Sequence, residues 1–240
     1  MTIESADYEI TSEALSAALA EHGIELEPPQ VALLNRYRAA LWRWNEQLNL
    51  TRHTTLDKFV GRDVVDSWEL AKLIPAGRRV LDVGSGGGVP GLVMAICRPD
   101  LRMTLCESTQ KKARVLEAII QELGLAVEAF GCRAEELLAL RTFDVLVARA
   151  VAPLAKLLTW FAPHWGAFDE LLLTKGRSWV EERSEAKERG LLKNLDLRKA
   201  ATYAMPAGDG DALGGESIIL RLTPRVRGGD GRDAIDGDDP

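Results

Sequence analysis

Residues 80–91 read VLDVGSGGGVPG, a short apolar run that passes directly into a glycine-rich turn. In a parallel sheet covered by helices on both faces, the loop after the first strand faces a ligand at the carboxyl edge. Glycines in that loop let the backbone approach the ligand and expose N–H donors at the start of the next helix. Four glycines within residues 84–88 exceed what a tight turn requires. The stretch therefore predicts a binding loop in an α/β domain.

The alternation of strand, loop and helix continues after this turn. Four further apolar runs have the length of buried strands: MTLCES (103–108), AVEAFG (126–131), FDVLVARAV (143–151) and ELLLTKG (170–176). Between the first two lies KKARVLEAIIQELG (111–124), which has one apolar helix face and a terminal glycine. This pattern predicts a doubly wound, Rossmann-like α/β domain over residues 75–224. The runs ATYAMP (201–206) and SIILRLTP (217–224) predict a final β pair that adds an antiparallel strand.

The two ends of the chain differ from this central part. Apolar residues recur at three- and four-residue steps from Gln30 to Leu50, and a second helical stretch covers about 55–73. We therefore expect an N-terminal helical extension over residues 1–74. Residues 225–240 are rich in Gly and Asp and have few apolar groups, so we expect a disordered acidic tail there.

Composition indicates a globular protein, since 46% of the 240 residues are hydrophobic. The N-terminus is acidic and no apolar run approaches the roughly 18 residues of a membrane span, so we expect a cytoplasmic protein without membrane contact. Cys97, Cys106 and Cys132 form no C-x-x-C pair, which predicts free thiols and no metal site. The net charge of −6 arises at the ends, because residues 31–224 hold 27 basic and 24 acidic residues. A basic surface in the centre remains compatible with this balance.

The residues around the loop bear on the identity of the ligand. Gly86–Gly91 matches G-x-G-x-x-G, but Pro90 lacks an N–H and no basic residue is present in the loop for a pyrophosphate. No Gly-Lys-Ser/Thr follows, which excludes a P-loop. Glu107, at the end of the second strand, is placed to accept hydrogen bonds from a ribose, as the corresponding acid of NAD enzymes does. The spacing Asp82-x-Gly84-x-Gly86-x-Gly88 resembles that of class I S-adenosylmethionine-dependent methyltransferases.

A narrower resemblance runs from about residue 31 to residue 224. Its motifs are WNEQLNLT (44–51), DVGSGGGVPGLVMAI (82–96), KKARVL (111–116), RAEE (133–136), DVLVARAVAPL (144–154) and LLLTKG (171–176). Together they resemble the RsmG family, also called GidB. The resemblance implies an enzyme that uses S-adenosyl-L-methionine to methylate N7 of a guanine in the decoding-region loop of 16S ribosomal RNA. Its partner would be that RNA or the small ribosomal subunit.

The same resemblance implies which residues hold the cofactor. It places the ribose at Glu107, the adenine around Ala134 and Glu135, and Arg149 at the rim where cofactor meets substrate. The candidate cofactor-binding residues are Gly84, Ser85, Gly86, Val89, Glu107, Ala134, Glu135 and Arg149. One departure is visible in RDVVDS (62–67), where Asp63 occupies a position at which such proteins usually have His.

The residues after the fourth strand agree with a guanine N7 acceptor. Methylation of the adenine amine normally goes with an Asn/Asp-Pro-Pro-aromatic run, and methylation of a pyrimidine C5 needs a cysteine. The segment RAVAP (149–153) does not match that run and contains no cysteine. Guanine N7 has a lone pair and no proton, so alignment of the reactants suffices and no catalytic acid or base is predicted. A non-catalytic binder would show the same absence.

Basic residues supply candidates for contact with RNA. These candidates are Arg52, Lys111, Lys112, Arg149 and Lys175. The sequence leaves open whether Arg149 holds the cofactor carboxylate, a phosphate or guanine O6. The isolated residues His53 and His164 receive no role, and tryptophans at helical spacing are expected in the core. Two alternatives remain open: an NAD(P)-dependent oxidoreductase that uses the same turn, and a non-catalytic RNA-binding or ribosome assembly factor.

Overall fold

The computed structural model describes residues 10–205 and 215–225. Its helices are α1 (Ser12–Glu21), α2 (Pro28–Asn45), α3 (Leu56–Lys58), α4 (Val65–Lys72), α5 (Gly91–Cys97), α6 (Gln110–Leu123), α7 (Ala134–Leu138), α8 (Leu154–Phe161) and α9 (Trp179–Glu188). A π-helical segment (Phe59–Val64) joins α3 to α4, and a 3-10 turn (Ala162–His164) follows α8. The strands are β1 (Arg79–Val83), β2 (Arg102–Cys106), β3 (Glu128–Phe130), β4 (Val145–Arg149), β5 (Glu170–Lys175), β6 (Leu195–Met205) and β7 (Gly215–Pro224).

The strands of the described residues form one sheet in the order β3-β2-β1-β4-β5-β7-β6. The pairs from β3 to β5 are parallel, and β7 is antiparallel to both of its neighbours. Strand β1 lies between β2 and β4, so the order in which the chain adds strands reverses there. Such a reversal point, at the carboxyl edge, is where open α/β sheets bind ligands. The predicted doubly wound fold with a terminal antiparallel β pair is confirmed.

Strand β6 is longer than the sequence indicates. It begins at Leu195 rather than at residue 201, and Leu195 pairs with Pro224 at the far end of β7. The sequence does not predict the first residues of β6. This strand lies at the edge of the sheet with several exposed positions, and its first residues, LDLRKA, lack a continuous apolar run. A strand exposed on its edge needs no apolar run to be stable in a sheet.

The N-terminal helices also differ in detail from the sequence pattern. Two prolines open α2, where Glu27 and Gln30 form a capping box. The helix ends at Asn45, before the predicted Leu50, because Oδ1 of Asn45 accepts the N–H groups of Leu50 and Thr51. This side chain turns residues 46–51 back toward the glycine loop.

Two hydrophobic clusters cover the two faces of the sheet. One contains buried residues of the N-terminal helices and of α5 and α6, such as Leu34, Leu41 and Leu92, and the other contains residues of α7 and α8, such as Leu137 and Leu157. The N-terminal helices thus share a core with the sheet, and the domain boundary at residue 74 stays a prediction.

The structure also bears on the expectations for the acidic tail, the cysteines, a membrane span and a metal site. The predicted acidic tail lies outside the described residues except for Arg225, whose backbone N–H donates to the carbonyl of Asn194. All three cysteines are free. Within residues 10–205 and 215–225, no helix is long and apolar enough to cross a membrane, and no cluster of His, Cys, Asp or Glu could hold a metal ion.

Candidate active site

The glycine loop folds back over the end of β2. The N–H groups of Gly84 and Ser85 both donate to the carbonyl of Cys106, at 2.8 and 3.1 Å. Gly84 has a φ of 68°, in the left-handed region, and a Cβ there would lie 2.9 Å from a methyl group of Val151. This position therefore requires glycine for its backbone angle and for close packing.

Asp82 ties the strand to the helix that follows the loop. Its carboxylate is fully buried, and Oδ2 accepts the N–H of Gly91, the first residue of α5, at 3.0 Å. Oδ1 has no hydrogen-bond partner within the described residues. Burial raises the pKa of Asp82 to about 7, although the hydrogen bond from Gly91 favours the charged form.

Glu107 faces the loop from the end of β2. Its Oε2 accepts the N–H of Gly86 at 3.0 Å, and its Oε1 accepts the N–H of Thr109 at 2.7 Å. Both oxygens are thereby fixed in orientation, and each retains a second lone pair. Each oxygen can therefore accept one further hydrogen bond.

One cavity of about 410 Å³ joins the loop, Glu107 and Arg149. Six of the predicted cofactor residues line it: Gly84, Ser85, Gly86, Val89, Glu107 and Arg149. Lys112, predicted as an RNA contact, also lies in its wall. Ala134 and Glu135 begin α7 after β3 and are not among the lining residues of this cavity. Their implied contact with the adenine stays a prediction.

The N-terminal helices supply the opposite wall. Leu41, Leu50 and Thr51 line the same cavity, and the hydroxyl of Tyr37 donates to the carbonyl of Gly87 at 3.0 Å. Burial raises the pKa of Tyr37 well above its ordinary value, so its hydroxyl remains a donor at neutral pH. The site is therefore built jointly by the sheet and the N-terminal helices.

Arg149 is held in a buried network of ion pairs. Its guanidinium donates to Asp63 Oδ1 at 2.5 Å, to Asp66 Oδ2 at 2.9 Å and to the carbonyl of Arg62 at 3.2 Å. Only 17% of its side chain is exposed. Burial opposes its charge, but the two carboxylates outweigh that effect and raise the pKa of Arg149. Burial also raises the pKa of Asp66, whose Oδ1 accepts the hydroxyl of Tyr203 at 2.7 Å.

Asp63, which stands where such proteins usually have His, lies next to a histidine that the sequence did not assign to the site. Asp63 is fully buried, and its Oδ1 lies 2.7 Å from Nδ1 of His53, a residue without a predicted role. No motif connects these two residues in the sequence. The Asp in place of the usual His is the feature of the sequence that could have indicated a basic partner nearby.

A second cavity, of about 560 Å³, adjoins the first at Leu50, Thr51 and Arg149. Asn49, Arg52 and His53 complete its walls. Arg52 is thus placed at the candidate site with its side chain exposed, as the prediction of an RNA contact requires.

The remaining RNA candidates separate into exposed and internal groups. Lys111 is exposed at the start of α6. Lys175 is 11% exposed, and its ammonium donates to the carbonyl of Ala152 and to Glu182 Oε2. Lys175 lines a third cavity, of about 510 Å³, with its charge paired to Glu182, and its contact with RNA stays a prediction.

The four tryptophans expected in the core all pack against one of the two hydrophobic clusters, and they are buried to different degrees. Trp42 is buried, and Trp44 and Trp68 are partly buried against the same cluster. Trp160 is likewise partly buried, against the cluster on the other face of the sheet, and it also lies in the wall of the first cavity, with the ammonium of Lys156 5.2 Å from its ring centre.

Comparison with known structures supports the fold. A Pyrococcus abyssi tRNA (uracil-54, C5)-methyltransferase in complex with S-adenosyl-L-homocysteine superposes with a TM-score of 0.51 at 13% identity, covering 73% of this chain and 40% of that one. A mutant form of MtNAS superposes with a TM-score of 0.51 at 16% identity, covering 88% of this chain and 76% of that one.

Comparison with sequences identifies the family. The family model of GidB, rRNA small subunit methyltransferase G, matches residues 30–204. A ribosomal RNA small subunit methyltransferase G of Rhodopirellula baltica is 46% identical over 223 residues, covering 88% of this chain and 96% of that protein. The protein of the same name from Sorangium cellulosum is 41% identical over 181 residues, covering 72% of this chain and 76% of that protein. These relationships do not favour the oxidoreductase alternative, and the chain belongs to the rRNA small subunit methyltransferase G family.

Proposed function

We propose that this protein transfers a methyl group from S-adenosyl-L-methionine to N7 of a guanine in the decoding-region loop of 16S ribosomal RNA, in the cytoplasm. The observation that carries the proposal is a cavity in which the glycine loop, Glu107 and Arg149 meet in a member of this family. A glycine loop and a ribose-binding acid would not suffice even together, since NAD enzymes also have both. Membership of this family distinguishes the two kinds of enzyme.

The residues present fit this cofactor. A Cβ placed on Gly86 would meet only one atom within 4 Å, so the backbone of the loop leaves open space on the side where a ligand must approach. Glu107 can accept hydrogen bonds from the two ribose hydroxyls. The loop itself contains no cation, which suits a cofactor without phosphate better than a dinucleotide.

When bound, S-adenosyl-L-methionine supplies an electrophilic methyl group, which the lone pair of guanine N7 can accept without losing a proton. The protein then has to exclude water and to fix the angle of approach of the base. The second cavity is suited to hold that base, because Arg149, Leu50 and Thr51 belong to the walls of both cavities.

The cysteines support nitrogen rather than carbon as the acceptor. A C5 pyrimidine methyltransferase needs a thiolate as nucleophile. Burial raises the pKa of Cys97 to about 12 and that of Cys106 further still, so both thiols stay protonated at neutral pH. Cys132 is partly exposed, and none of the three cysteines lines either of the two adjoining cavities.

The test is methyl transfer from radiolabelled S-adenosyl-L-methionine to small ribosomal subunits from cells that lack the endogenous activity, followed by nucleoside analysis. We expect label in 7-methylguanosine at one site. Binding of the cofactor without transfer would support the non-catalytic RNA-binding or assembly role, and label in another nucleoside would reassign the acceptor.

A further inference from the structure

His53 is fixed more firmly than a surface histidine needs to be. Its ring Nδ1 lies 2.7 Å from the buried carboxylate of Asp63. Its backbone N–H donates to Thr51 Oγ1 at 3.0 Å, and its carbonyl accepts the indole N–H of Trp42 at 3.0 Å. Three separate bonds therefore hold a residue whose side chain remains 29% exposed. Fixed and accessible side chains of this kind are suited to orient a ligand.

The bond to Asp63 determines which ring nitrogen donates. The carboxylate of Asp63 accepts a charge-assisted bond from Arg149, so it acts only as an acceptor. Nδ1 of His53 must therefore carry the proton in their shared bond. In the neutral ring, Nε2 is then an acceptor on the side left to the cavity that His53 lines.

The walls of the two cavities indicate which edge of a base His53 would meet. Arg149, Leu50 and Thr51 are shared with the cofactor cavity, whereas His53, Asn49 and Arg52 belong to the second cavity alone. A guanine whose N7 faces the cofactor turns its opposite edge away from the shared wall. That edge carries the N1–H and the 2-amino group, which are both donors. Asn49 and Arg52 are exposed, so His53 is the preorganised group on this side.

We propose that His53 is a guanine-contacting residue, whose Nε2 accepts a hydrogen bond from the N1–H or 2-amino group of the acceptor base while Asp63 fixes the ring. This inference rests on the proposed function and adds a source of base selectivity to it. An adenine in the same orientation presents N1 and a C–H at that edge and offers no donor to Nε2. The buried Asp63 thus acts through His53 as a positioning residue.

The experiment uses the full chain and the ribosomal-subunit assay described above, with His53→Ala, His53→Gln and His164→Ala. Gln keeps an acceptor oxygen close to the position of Nε2, and His164→Ala controls for loss of a partly exposed histidine elsewhere. We expect His53→Ala to lower kcat/KM for the subunit roughly tenfold, the loss typical of one hydrogen bond to a bound group. His53→Gln should recover most of that loss, and His164→Ala should match the parent protein.

Two further measurements separate this role from a structural one. The affinity for S-adenosyl-L-homocysteine by calorimetry should stay unchanged in His53→Ala, whereas the Tm should fall by a few degrees because the buried carboxylate of Asp63 loses one of its donors. Unchanged kcat/KM in His53→Ala, with an active parent protein, overturns the inference and leaves the proposed function intact. A joint fall of Tm and cofactor affinity, or a failure of His53→Gln to recover activity, also overturns it. An inactive parent protein defeats the proposed function itself.

Discussion

The backbone of Gly91 lies directly against the carboxylate of Asp82. A Cβ on Gly91 would stand 2.6 Å from Oδ2 and 2.9 Å from Cβ of Asp82, both closer than side chains approach. Neither group can move easily, because the carboxylate is fully buried and accepts the N–H of Gly91 itself. Helix α5 can therefore begin at this distance from β1 only with glycine at position 91.

We expect Gly91→Ala to lower the free energy of unfolding by about 1–3 kcal/mol, the usual cost of overpacking a filled interior. Urea unfolding measures it. Gly166→Ala is the matched control, since a Cβ there meets nothing within 4 Å. Equal stability of the two variants would show that the contact between residues 82 and 91 relaxes at no cost.

Asp82 should make stability depend on pH. An unfolded Asp titrates near 3.9, whereas the folded-state pKa of Asp82 is about 7, so the folded chain holds an extra proton between these values. This group therefore lowers the free energy of unfolding as pH rises from about 4 to about 7, by up to about 4 kcal/mol. Asp82→Asn should remove this contribution. Urea unfolding of both proteins at pH 5 and pH 7.5 isolates it, and parallel changes in the two proteins would refute the assignment.

The open space at Gly86 predicts a variant that folds but does not bind. Gly86 has a φ of 57°, so Gly86→Val should cost about 1–2 kcal/mol in backbone strain and should block the cavity. Gly77 has a φ of 76° and equally open surroundings, away from the cavity, so Gly77→Val carries matched strain. We expect calorimetry with S-adenosyl-L-homocysteine to show lost affinity in Gly86→Val alone. Retained affinity would place the cofactor elsewhere.

Because Arg149 pairs with both Asp63 and Asp66, we expect the losses of stability caused by substitutions at positions 149 and 63 not to add. Arg149→Met leaves the carboxylates of Asp63 and Asp66 buried without their cation, which typically costs about 3–5 kcal/mol. Adding Asp63→Asn removes one uncompensated charge and should restore part of the stability. Urea unfolding of the single and double variants tests this, and losses that simply add would contradict the coupling.

The exposure of the basic residues predicts which of them contribute to RNA affinity. Lys111→Ala should lower the slope of log affinity against log salt concentration by about 0.7–0.9 if Lys111 meets a phosphate. Lys175→Met should leave that slope unchanged and should destabilise the fold by about 1–3 kcal/mol, because Glu182 then loses its ion-pair partner. Binding to small ribosomal subunits at several salt concentrations distinguishes the two. A lower slope for Lys175→Met would show that Lys175 contacts a phosphate of the RNA.

Local patterns explain why much of the fold was predictable. Alternating apolar runs and helical periods predict five parallel strands in their observed places, and helix α6 ends at Leu123 because Gly124 caps it with a φ of 66°. The full length of edge strand β6 could not be predicted, because the strand has too little buried surface to require an apolar run. The end of α2 was misplaced because it depends on one side chain, Asn45, bonding to the backbone five and six residues later.

Short stretches of sequence were enough to predict the glycine loop, the acid at Glu107 and the family, because each depends on residues that are close together in the chain. The surroundings of Arg149 follow from the folded chain, since its partners Asp66 and Asp63 lie 83 and 86 positions away in the sequence. Folding also makes the N-terminal helices a wall of the site and brings His53 to Asp63 there. A buried charge needs a partner that is close in space, and the distance between two residues along the chain does not determine which element supplies that partner.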